Sequence, residues 1–187
     1  MRLISERSGR RQMESQGRGG RLRGKAVSGL LGRWKSYAGA AMVVATAAAL
    51  GAAAVDADSA WYRGLATPRW QPPSWAFAAI WAPLYASIAW SAGHAWNQAD
   101  EAERTQLAAA LTVNLSLNTA WSWAFFAARS PGAGLVGTLL LDASNLQLIR
   151  TTSRTDRLAA AALLPYAAWC WFATALNAKI ARADLRT

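Results

Sequence analysis

The chain has 187 residues, of which 53% are hydrophobic and only 16% charged, with 20 Lys/Arg against 10 Asp/Glu. That is long enough for one domain with a core and apolar for a soluble domain of this size. A single cysteine (Cys170) excludes an intramolecular disulfide, and one isolated histidine (His94) offers no zinc-ligand spacing. No phosphate-loop, dinucleotide, nucleophile-elbow or zincin motif is present, which argues against a conventional kinase, dehydrogenase or hydrolase.

Residues 1–35 carry ten Lys/Arg against Glu6 and Glu14, so +8 of the net +10 sits in this extension. It is rich in Arg, Gly and Ser and poor in apolar residues, a composition that predicts disorder. The simplest reading is a solvated extension, or a start codon upstream of the true one, with Met13 and Met42 available. Attraction to anionic lipid or nucleic acid is the alternative, without specific nucleic-acid recognition. The charged lead-in is too long for the segment after it to be a removable signal peptide.

Beyond it, charges vanish from 36–55, 70–99, 105–128 and 158–178, and 130–149 holds only Asp142. A helix needs about 20 residues to cross an apolar core of about 30 Å. The pattern predicts an all-α integral membrane bundle of five transmembrane helices near 36–55, 75–96, 105–128, 131–149 and 157–180, within a domain 36–181. A short tail, 182–187, follows. The spans are apolar nearly all round, unlike the one-sided helices of a soluble bundle. Their Ala and Gly content suits close helix packing in lipid. Five crossings put the termini on opposite sides, and the basic extension places the N-terminus in the cytoplasm by the positive-inside rule.

The connection 56–74 differs from the other, short turns. Residues 61–81 hold Trp61, Tyr62, Trp70, Trp75, Phe77 and Trp81, together with Pro68, Pro72 and Pro73. Indole is large, rigid and amphipathic, suited to a bilayer edge or to the wall of a site for a flat ligand. The prolines forbid regular helix and stiffen the connection, so it reads as a lid.

Helical spacing brings other candidates together. Asn114, Asn118, Trp121 and Phe125 form one stripe; Trp81 and Tyr85 share a face, as do Pro165, Trp169 and Leu176. Such a stripe can stack a flat macrocycle and anchor its polar rim. The competing account is that buried Asn joins helices while tryptophans pack or form interfacial belts. Trp34, Trp75, Trp90 and Trp96 fit that account.

The aromatic connection and second span (Trp61-Tyr62, Leu65, Pro68, Trp70, Pro72-Pro73, Trp75, Trp81, Leu84-Tyr85) resemble the tryptophan-rich sensory protein / translocator protein family. This is the TspO/MBR family, also called peripheral-type benzodiazepine receptor. The resemblance continues through Leu117-Asn118, Ala120-Trp121-Ser122 and Phe125-Phe126. It recurs in Leu164-Pro165-Tyr166, Trp169, Phe172-Ala173 and Leu176-Asn177, so it covers roughly 37–180.

The resemblance implies five helices around an apolar pocket, the first loop as its cover, and a homodimer. It implies binding of porphyrins such as protoporphyrin IX or haem-related tetrapyrroles as ligands, with no cofactor required, in a receptor or sensor of tetrapyrrole handling or stress. By this resemblance Trp61 and Tyr62 line the lid side and Trp70 braces it. Trp81, Tyr85, Asn118, Trp121, Trp169, Ala173 and Leu176 line the pocket from the helices. Some relatives are credited with light- and oxygen-dependent porphyrin breakdown, which would fall to Trp81 and Trp169; transport of porphyrin or sterol is a third reading. The family points to a multi-pass protein of the cell membrane if the source is bacterial, or of the mitochondrial outer membrane if eukaryotic.

Three departures stand out. Asn114 replaces a frequent Gln, and Ala133 and Gly137 stand where an aromatic and an Asp are usual. After Leu176-Asn177-Ala178-Lys179 the sterol-recognition pattern lacks its tyrosine, so specific sterol handling loses support. Asp142 shares a face with Thr138 and Asn145. An acid within a span marks function by default, and a hydrogen-bonded helix contact serves equally well. His94 reads as a headgroup-level histidine. Arg63 and Arg69 on the lid either meet a propionate or snorkel toward phosphate.

Overall fold

The computed structural model describes residues 32–185; the basic extension falls almost wholly outside them. All contacts reported below lie within Tyr37–Thr187, one of two units into which the chain divides. The architecture is all-helical, with no strand among the described residues.

Helix α1 covers residues 32–52. Within the connection, α2 (Ala60–Arg63) is a single turn capped by the Ser59 hydroxyl, which accepts from the Tyr62 amide. Pro68, Pro72 and Pro73 keep the following segment non-helical until α3 (Ser74–Gln98) begins just past the proline pair. Helix α4 (Glu101–Ser122) starts earlier than the apolar pattern predicts. Asp100 and Glu103 form a capping box there, which satisfies two amides that an uncapped start would leave open.

The third span then widens into a π-helical segment, Trp123–Ala127, and stops at Arg129, whose φ of 51° lies in the left-handed region. Ser130 caps α5 (Pro131–Thr155), with Pro131 in the first turn where its missing N–H costs nothing. Helix α5 runs past 149 because Arg150 and Arg154 sit on exposed positions. Asp156 caps α6 (Arg157–Ala162), and the chain re-enters α7 (Leu164–Asp184) after a break at Leu163, with Pro165 in its first turn.

Among the described residues, α5 and the Arg157–Asp184 run are long and apolar enough to cross a membrane by composition. Helix α3 is as long, but its tryptophans, serines, His94 and Asn97 lower its average hydropathy.

Helix α5 packs on α4 and α7, and α3 on α6. Helix α1 crosses α3 at Gly93, where an added Cβ would lie 2.8 Å from the Tyr37 Cα, so only glycine permits the approach. Further along, Thr119 donates to the Ala47 carbonyl and the Trp123 indole to the Leu50 carbonyl, tying α1 to the end of α4.

The central core joins Val44, Leu84, Ile88, Leu115, Leu141, Leu148, Tyr166 and Cys170. A directed chain of hydrogen bonds runs through it. Tyr85 donates to Asn118 Oδ1 (3.0 Å) and Asn118 Nδ2 to the Tyr166 hydroxyl (3.2 Å). Tyr166 donates in turn to Asn114 Oδ1 (3.1 Å), and Asn114 Nδ2 to Asn145 Oδ1 (2.7 Å). Asn118 and Asn114 each use their donor and acceptor ends on different neighbours, so the chain crosslinks α3, α4, α7 and α5.

Candidate functional site

Next to Tyr85, where this hydrogen-bond chain begins, the helices leave a cavity of about 290 Å³ beneath the connection. Seven aromatic residues line it: Tyr62 from α2, Phe77, Trp81 and Tyr85 from α3, Trp121 from α4, and Phe125 and Phe126 from the π segment. Asn118, Ala173, Leu176 and Asn177 complete the far walls, and Ala48, Gly51 and Ala52 of α1, with Val55 just past its end, close the side.

The π winding shapes one wall. Trp121 stacks on Phe125 four residues on (5.6 Å, 16°), and Phe126, five residues on, stands edge-on to Trp121 (6.0 Å, 85°). A regular helix turns residue i+5 away from residue i; the wider π turn keeps it on the same side. Phe125 presses into α5 at Gly134, where an added Cβ would lie 2.5 Å from Phe125 Cδ2 and 2.9 Å from Asn177 Oδ1. Trp121 likewise approaches Gly137. The small residues at 134 and 137 thus seat the aromatic wall, and α5 supplies none of the described lining residues.

The cover is latched from inside. Gln71 Nε2 donates to the Tyr62 hydroxyl at 3.1 Å, and Tyr62 rests on Phe126 (5.4 Å). Burial pushes the Tyr62 phenol above its ordinary 10.0, with the Gln71 hydrogen bond partly opposing the rise.

Of the residues singled out in the sequence, Tyr62, Trp81, Tyr85, Asn118, Trp121, Ala173 and Leu176 reach the cavity. Trp81 stacks on Tyr85 at 5.1 Å. Trp61, Trp70 and Trp169 stand one layer back. Trp61 meets the edge of Phe125 (5.5 Å), Trp70 that of Phe172 (5.5 Å), and Trp169 stacks on Phe172 (5.1 Å) behind Phe77. Gln71, Phe77, Phe126 and the α1 residues were not singled out as site residues. Phe77 lies four residues before Trp81, a spacing that points to the same face.

Three buried polar atoms of lining residues have no hydrogen-bond partner: Trp121 Nε1, Gln71 Oε1 and Asn177 Oδ1. Buried polar groups are normally satisfied, so these three are exceptions. None of the described lining residues is charged.

Two other polar sites lie apart. Thr174 donates to Asp142 Oδ2 at 2.7 Å, an α7–α5 contact that leaves Asp142 Oδ1 unpartnered. His94 stacks on Trp90 (4.6 Å) and shares a 2.9 Å hydrogen bond with the Tyr37 hydroxyl, while its Nε2 lies 3.7 Å from Asp156 Oδ2. It therefore joins α1 and α3 to the α5–α6 corner.

The TspO/MBR family profile matches residues 39–182. A human protein named translocator protein is 35% identical over 119 residues, covering 63% of this chain and 70% of its own length. The tryptophan-rich protein TspO of Archaeoglobus fulgidus is 36% identical over 123 residues, 63% and 75% of the two chains. Protein CrtK of Rhodobacter capsulatus is 32% identical over 140 residues, 74% and 88%. From α1 through α7, then, this chain belongs to the TspO/MBR family of membrane-associated proteins.

Proposed function

We propose that this chain is a multi-pass membrane receptor that binds a flat aromatic ligand of the tetrapyrrole class in the cavity beneath α2. Helices α1, α3, α4, α5 and the α6–α7 run supply five crossings, and the protein works as a homodimer in the cell membrane. The observation that carries the reading is the convergence of seven aromatic side chains on one uncharged cavity. Aromatic faces reward a planar π-system by about 0.5–1.5 kcal/mol per pair beyond area burial.

The volume adds a condition. At about 290 Å³ the cavity sits at the foot of the range for small-molecule sites, about 300–1,000 Å³. A whole macrocycle enters only if the cover moves, and the Tyr62–Gln71 latch is what has to open. On this reading binding shifts the connection and so changes the surface that another protein meets.

Titration of the purified protein with protoporphyrin IX, read by quenching of tryptophan fluorescence, tests the reading. Saturable quenching that weakens in Trp121→Phe supports it. Unchanged affinity in that variant, or no quenching in the wild type, rejects it. A second reading, porphyrin breakdown, is favoured by one contact, the Trp81–Tyr85 stack in the wall. Illuminating the complex in air and finding no new absorbing product eliminates that activity.

A further inference from the structure

We infer that a carboxylated ligand lies in the cavity with its apolar edge inward and its carboxylates outside, held by Arg63 and Arg69 of the cover. The inference rests on the ligand reading above and assigns the ligand's orientation.

The interior disfavours a carboxylate because it offers no countercharge. No described lining residue is cationic. The Tyr85 proton goes to Asn118, while Asn118, Gln71 and Asn177 each spend one of two amide protons, on Tyr166, Tyr62 and the Ala173 carbonyl. Among the unpartnered atoms of the described lining residues, Trp121 Nε1 is a donor, and Gln71 Oε1 and Asn177 Oδ1 are acceptors that repel an anion. Neutral donors with no cation beside them do not replace the hydration shell of a carboxylate.

The cover offers what the interior lacks. Arg63 ends α2 directly after the lining residue Tyr62, and Arg69 precedes the lining residue Gln71 by two positions. Both are exposed, and neither forms an ion pair among the described residues. At the other end of the same connection stand Asp56 and Asp58, with Asp56 Oδ1 accepting from the Asp58 amide. An anionic ligand edge is repelled there and drawn to the arginine side. Guanidinium groups suit this task because their planar fork pairs with carboxylate oxygens two at a time.

The test compares protoporphyrin IX with its dimethyl ester, titrated against the full chain in phosphatidylcholine nanodiscs. Wild type and R63Q/R69Q are measured at low and high salt. The expected result is a loss of about threefold to tenfold in free-acid affinity in the double variant, in line with exposed ion pairs. Ester affinity stays unchanged, which also reports that the variant is folded. Added salt weakens the acid, not the ester, in the wild type. Equal effects on acid and ester, or none on the acid, overturn the orientation while leaving the ligand reading intact. If neither porphyrin binds the wild type, the ligand reading falls and the orientation with it.

Discussion

The Tyr85 hydroxyl donates to Asn118 Oδ1 at 3.0 Å, and this bond joins the cavity wall to the buried amide chain behind it. Its weight differs from that of the next link. Tyr166 is fully buried and serves both Asn118 and Asn114. Tyr166→Phe leaves one amide donor and one acceptor unpaired and is expected to cost about 1–2 kcal/mol. Tyr85→Phe frees only Asn118 Oδ1 beside the cavity and costs less. Thermal unfolding of the detergent-solubilised variants ranks the two.

Trp121 and Trp169 are not equivalent. Trp121 lines the cavity, whereas Trp169 is screened by Phe77 and Phe172. Trp121→Phe should weaken protoporphyrin binding by about threefold to tenfold, and Trp169→Phe by less than about twofold. Equal losses in the quenching titration would place Trp169 in contact with the ligand and contradict the arrangement described here.

These residues show how far the sequence carries. The Asn118–Trp121–Phe125 stripe follows from local rules of spacing, whereas the caps at Asp100 and Ser130 set helix starts that the apolar pattern alone does not mark. Trp169 shares a helical face with Leu176, yet spacing does not reveal that Phe77 from another helix stands in front of it. Ala48, Gly51 and Ala52 carry no chemical signal, because small residues look alike whether they line a cavity or admit a neighbour. The place of Phe126 depends on π winding, and the meeting of Tyr37, His94 and Asp156 on three distant elements. Both are set by tertiary packing rather than by local pattern.

Two glycines separate stability from binding. At Gly93 an added Cβ meets the Tyr37 backbone, which cannot give way, so Gly93→Ala should destabilise by about 1–3 kcal/mol. At Gly134 the obstacle is chiefly the Phe125 ring, which can rotate toward the cavity. Gly134→Ala should therefore reduce ligand affinity more than it lowers the melting temperature. Measuring both quantities on both variants checks the contrast.

The Tyr62 latch has an alkaline limit. With the folded pKa above 10.0, the neutral phenol is favoured in the docked cover. Its contribution is complete below pH 10 and declines as the pH rises through the folded value. Tyr62→Phe should lack this alkaline decline while losing the Gln71 hydrogen bond at every pH. Ligand titrations between pH 8 and about 11, run on wild type and variant together, expose the difference.

The Asp142–Thr174 contact is a helix clasp. A double-mutant cycle with Asp142→Leu and Thr174→Val should give a coupling of about 0.6–1.7 kcal/mol, the range for hydrogen bonds between helices in lipid. Asp142→Asn keeps a carbonyl acceptor for Thr174 and should be nearly neutral. Zero coupling in unfolding measurements would release Asp142 from this part.

The break at Leu163 divides the last long helical run into two pieces with different attachments. The shorter piece is moored, with Ser91 of α3 donating to the Ala159 carbonyl and Asp156 holding the Ala159 amide. The longer one carries Ala173, Leu176 and Asn177 along the cavity. The footing and the cavity wall are thus anchored independently, the wall piece by Thr174 to α5 and by Tyr166 to α4.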